Sequence, residues 1–134
     1  MAARILFILA TLYTLLILIL SLVQLGEISV GDFHPTDKIM HVSAYFGLAF
    51  IWFFYILFKK SEDYHYQKTF FIVSLLIVLF GILIEALQGA LTSYRQPDWA
   101  DILANTIGVV IALAFFFFFR KFLRRVKHHI NSFL

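Results

Sequence analysis

A chain of 134 residues has the length of one domain, but 62% of this one is hydrophobic and only 14% is charged, against about a quarter charged in a soluble domain. A mean hydropathy of +0.90 and the lack of any cysteine exclude a water-soluble globule, a disulfide scaffold, a thiolate nucleophile and a Cys-type zinc site. The net charge of +3 suits nucleic acid or a membrane equally, and the placement of the charges decides for the membrane.

Four stretches reach the roughly 20 apolar residues that a helix needs to cross a bilayer. The first, residues 5–25, follows Arg4 as a signal peptide would. It is too long for one and offers no small-residue cleavage site, so it is read as a retained span. The second covers 39–58, the third 69–91 and the fourth 102–119; Glu85 in the third is the one carboxylate, Lys or Arg within any of them. No ten-residue alternation of the barrel type occurs. The expectation is an all-α, polytopic membrane protein, a single domain over 1–134 with four transmembrane helices.

Lys and Arg set its orientation. Arg4, Lys59, Lys60, Lys68, Arg120, Lys121, Arg124, Arg125 and Lys127 lie at one set of helix ends, and only Lys38 and Arg95 at the other. Both termini are therefore expected in the cytoplasm, with the loops 26–38 and 92–101 outside. The tail Arg120–His129 reads as a topological anchor in preference to a docking patch for anionic lipid, and the run Phe115–Phe119 as lipid-facing bulk. Trp52 and Tyr55 near the inner boundary, and Tyr94 and Trp99 near the outer, fit an aromatic belt. An offset of 61 positions aligns Asp37 with Asp98 and Gly47 with Gly108, a faint mark of two related hairpins.

Polar groups inside a span are costly and so are the first candidates for function. Asp37, His41 and Tyr45 are four apart and share one face of the second helix, beside Lys38. Glu85 and Gln88 share a face in the outer half of the third. Asp98, Asp101, Asn105 and Gly108 form a stripe on the fourth, with Arg95 just before it. Three polar faces at one depth are expected to turn towards each other and away from lipid. Plainer roles stand beside these. Asp98 can cap the fourth helix, with Asp101 in its first turn, and Asp37 or Thr36 can cap the second. Gln88, Asn105 and Tyr45 can be interhelical hydrogen-bond glue and Gly108 a point of close approach. Glu85, His41 and Arg95 together exceed what packing four helices requires.

Asp37-Lys38-x-x-His41, Glu85-x-x-Gln88 and Arg95-x-x-Asp98-x-x-Asp101-x-x-x-Asn105-x-x-Gly108 resemble the VanZ-like family over roughly residues 36–110. Val42 departs from the aromatic residue often found after the histidine. The resemblance implies the bacterial cytoplasmic (inner) membrane and a link to envelope stress or glycopeptide (teicoplanin) resistance.

The expected function is an outer-leaflet site for the head group of a lipid, a lipid-linked molecule or a lipoglycopeptide. Its residues would be Asp37, Lys38, His41, Tyr45, Glu85, Gln88, Arg95, Asp98, Asp101 and Asn105, with Arg95 and Lys38 meeting phosphate or carboxylate. The alternative is a membrane hydrolase or transferase acting on an envelope lipid, with catalytic candidates His41, Glu85, Arg95 and Asp101. Metal assistance through His41, Glu85, Asp98 and Asp101 is the weaker variant, so no metal and no cofactor is expected. Transport ranks last, because nothing comparable to Glu85 occurs in the inner halves of the spans, as a through-path would need. The expected partners are membrane lipids or a lipid-linked molecule and not nucleic acid, with self-association left open.

Overall fold

The computed structural model describes residues 1–23, 35–60, 66–91 and 98–133. Within them lie five helices: α1 (Ala2–Leu22), α2 (Pro35–Lys59), α3 (Tyr66–Leu91), α4 (Trp99–Phe118) and α5 (Arg120–Phe133). The first four are long and apolar enough to cross a membrane. α2 begins four residues ahead of the expected span, because proline fits the first helical turn, where its missing N–H is not needed. Asp37 consequently sits in that first turn. α4 begins at Trp99, capped by Asp98, whose carboxylate accepts from the Ala100 N–H at 2.8 Å; Asp101 follows in the first turn. The basic tail, expected only as an anchor, is itself a helix. After a turn at Phe119, α5 places Leu123 and Lys127 one turn apart against the bundle and leaves its other basic residues exposed.

α2 is the hub: it touches every other helix, whereas α1 and α4 do not meet among the described residues. The α2–α4 seam is close because α4 buries Ala104, Gly108 and Ala112 at intervals of four, the small-residue spacing that lets membrane helices approach. At Gly108 a Cβ would overlap the Val42 carbonyl oxygen and stand 2.8 Å from the Phe46 nitrogen. Gly47, its counterpart in the offset pattern, faces Tyr13 of α1 instead, so the two glycines do different work. α3 buries a face running Phe70, Ser74, Ile77, Gly81, Ile84, Glu85 and Gln88. α1 buries only Ala10 and Ile17 and is the peripheral helix. It is tied on by Trp52 Nε1 donating to Thr14 Oγ1 at 3.2 Å and by Gln88 Nε2 donating to the Ser21 carbonyl at 2.8 Å.

The half of the bundle nearer α5 is filled by aromatic rings. Phe53, Phe70 and Phe116 meet with centroids 4.8–5.4 Å apart, and Phe50 and Phe54 close around Phe116. This corrects the reading of Phe115–Phe119 as uniformly lipid-facing. At 100° per residue, five consecutive side chains must spread round the helix, so Phe116 enters the core while Phe118 is 86% exposed.

Candidate functional site

The other half of the bundle gathers the polar residues. Asp37, His41 and Tyr45 lie on one stripe of α2, and Lys38 beside it reaches across to α4. Its ammonium donates to Asp98 Oδ2 at 2.5 Å and also pairs with Asp101 Oδ1. Asp98 thus uses one oxygen on Lys38 and the other to cap α4. Donation from Lys38, and then from the Ala100 N–H, holds its carboxyl below the ordinary aspartate value.

His41 sits between α2 and α4. Its Nδ1 lies 3.0 Å from Asn105 Oδ1; a carboxamide oxygen only accepts, so Nδ1 is the donor, and in the neutral ring Nε2 is the acceptor. That Nε2 stands 3.8 Å from Asp37 Oδ1 and 3.7 Å from Asp101 Oδ2, too far for hydrogen bonds. Glu85 on α3 is 2% exposed, and its Oε2 accepts from the Asp98 N–H at 3.2 Å. A carboxylate is favoured at the positive end of α4. Tyr45 comes within electrostatic reach of Glu85. The Tyr45 hydroxyl and Asn105 Nδ2 are buried with no hydrogen-bond partner among the described residues. Both lie over Gly81, where a Cβ would come 3.0 Å from Tyr45 Cε1 and 3.3 Å from Asn105 Nδ2.

The structure thus brings together Asp37, Lys38, His41, Tyr45, Glu85, Asp98, Asp101 and Asn105. Gln88 turns the other way, to the Ser21 carbonyl of α1. Arg95 lies outside the described residues. Beside the cluster is a cleft of about 250 Å³ between α1 and α2, lined by Ile17, Leu20, Ser21, Asp37, Met40, His41, Ala44 and Tyr45. Leu20 and Met40 are exposed at its rim, so it opens sideways. Sequence reasoning did not single out Ile17, Ser21 or Gly81. The signal for Gly81 was a glycine four residues before Glu85, on the same helix face.

The VanZ/LLP1 family model matches residues 7–120, from the first turns of α1 to the start of α5. The chain belongs to the VanZ/LLP1 family. No curated protein and no solved structure matches it. The VanZ/LLP1 match takes in every residue of the cluster and extends beyond the motifs to α1, the helix that supplies one wall of the cleft. With four apolar helices, this VanZ/LLP1 member is a multi-pass membrane protein.

Proposed function

We propose that this protein binds an amphiphilic envelope molecule, a lipid or lipid-linked compound, in the cleft between α1 and α2. The observation that carries the reading is the lining of that cleft. Ile17, Leu20, Met40 and Ala44 form an apolar wall continuous with the membrane, and Asp37, His41 and Tyr45 form a polar end. A volume of about 250 Å³ takes a head group and its first methylenes, leaving longer chains in the surrounding lipid. The head group meets Asp37, His41 and Tyr45. Lys38, already committed to two carboxylates, is not its principal contact. With the basic residues on the cytoplasmic side, the cleft faces the outer leaflet, consistent with a role in envelope stress or glycopeptide resistance in a bacterial inner membrane.

Native mass spectrometry of the purified chain tests this: a co-purifying amphiphile is expected in the wild type and not in Ile17→Trp, which fills the cleft from its apolar side. Equal retention by both proteins would overturn the reading. Reporter fusions at Ser61 and Leu134 are expected to be cytoplasmic and one at Val30 external. A second reading, hydrolysis or group transfer on the same molecule, is favoured by the Asn105 contact that leaves His41 Nε2 as a base. Turnover of an added envelope lipid extract by the wild type but not by His41→Gln would select it.

A further inference from the structure

The geometry points to a divalent transition-metal site formed by His41 Nε2, Asp37 and Asp101. The ligand atoms of these three residues all lie within 4.8 Å of one another. The two separations around Nε2, 3.8 Å to Asp37 Oδ1 and 3.7 Å to Asp101 Oδ2, are too long for hydrogen bonds. Two ligands about 2.1 Å from a shared tetrahedral ion stand roughly 3.4 Å apart, so these contacts need close by only a few tenths of an ångström.

The surroundings match what such an ion requires. The Asn105 amide oxygen accepts from Nδ1, which fixes the ring and turns the lone pair of Nε2 inward, as an outer partner of a metal-bound histidine does. Asp101 divides its oxygens, Oδ1 to Lys38 and Oδ2 towards His41. Asp37 and Asp101 bring carboxylate charge to a divalent ion. The independent observation is Tyr45. One turn below His41, it lines the same cleft, 3% exposed, with its hydroxyl lacking a hydrogen-bond partner among the described residues. It can bond a water or ligand oxygen on the ion. One imidazole with two carboxylates favours Zn²⁺ or Mn²⁺ over Ca²⁺ and Mg²⁺, which prefer all-oxygen shells. Three protein ligands leave a coordination position facing the cleft. The ligand set differs from the one weighed from sequence, with Asp37 in place of Glu85 and Asp98.

The proposal does not rest on amphiphile binding, and it is tested with metal alone. The full chain, purified in detergent without a polyhistidine tag and stripped with chelator, is titrated with Zn²⁺ and then loaded with Co²⁺ to follow its visible bands. One Zn²⁺ per chain is expected. Asp37→Asn and His41→Gln should each weaken binding about tenfold or more, and Asn105→Leu about tenfold through loss of the outer partner. Replacing His34, His65, His128 and His129 together with Ala should leave the site intact. Asp37→Asn, at the half-exposed rim, decides the matter if His41→Gln does not fold by circular dichroism. No saturable Zn²⁺ binding, binding unchanged in the Asp37 and His41 variants, or binding lost only with the other four histidines would overturn it. Chelator-stripped protein that still carries an amphiphile would leave the cleft reading standing whichever way the metal titration falls.

Discussion

The two ends of the bundle handle buried charge differently. At the Lys38 end, a cation is met by anions: Lys38 bonds two aspartates, and Glu85 and His41 stand close by. At the α5 end, the buried Lys127 ammonium is met by neutral oxygens, donating to the Lys60 carbonyl at 2.6 Å and to the Tyr66 hydroxyl at 3.3 Å, over an interior of packed phenylalanines. A cation held by neutral acceptors pins one helix down and does little else. A cation held among several carboxylates sits beside groups able to exchange protons or ligands. That contrast supports the proposal of a site at the Lys38 end, with Lys127 holding α5 at the other.

The largest effect should come from Gly108→Leu, which drives a side chain into the α2 backbone at Val42 and Phe46. Overpacking of this kind costs about 3 kcal/mol or more where backbone cannot shift, and thermal unfolding of the purified protein measures it. Equal stability would mean that the seam is looser than its spacing indicates. Lys127→Met should cost about 2 kcal/mol, the scale of hydrogen bonds from a charged donor. The loss should be confined to α5, read as faster proteolysis after Phe119 with the Lys38 end unchanged. Should the whole bundle melt with α5, the ends are not independent.

Lys38→Met should cost about 1 kcal/mol, because a side chain 37% exposed keeps only part of an ion pair's worth. It should also alter the pH dependence. The Asp98 carboxyl is held below its ordinary value, so it contributes stability that is present above about pH 4, the unfolded range. That stability is lost as pH falls through the depressed folded value. The acid-side loss should be steeper in the wild type than in Lys38→Met, and identical profiles would remove the pairing as a stabilising contact. Glu85→Gln should be mildest for stability, about 0.5–1 kcal/mol, since an amide oxygen still accepts from the Asp98 N–H. Amphiphile retention should nevertheless fall, because Tyr45, which lines the cleft, lies within electrostatic reach of Glu85. A variant that melts early makes Glu85 structural, and one that is stable and fully retentive removes it from the site.

Much of this was legible in the sequence. Four apolar runs gave four helices, and the four-residue spacing of Asp37, His41 and Tyr45 gave their shared face. The cost of polar groups in lipid predicted that α2, α3 and α4 would turn those faces together. What sequence spacing could not resolve was the partner of each group. Glu85 and Gln88, three apart, differ by about 60° around α3, enough to send one to α4 and the other to α1. Lys38 and Asp98 were both singled out, but that they would meet depends on helix register across 60 positions. Gly81 carries no polar signal and matters only because Tyr45 and Asn105 occupy the space beside it. The α5 helix was hidden because charge dominates its composition, although Leu123 and Lys127 lie one turn apart.

The Lys38 contacts to Asp98 and Asp101 join positions 60 and 63 residues apart, and a nascent chain emerges N-terminus first. When α2 enters the bilayer, the aspartates that will neutralise its lysine have not been synthesised, and Asp37, Lys38 and His41 wait at the membrane boundary. Only arrival of α4, docking through Gly108, closes the circuit. A chain stalled before the fourth helix therefore holds Lys38 without the two carboxylates that bond it in the finished protein.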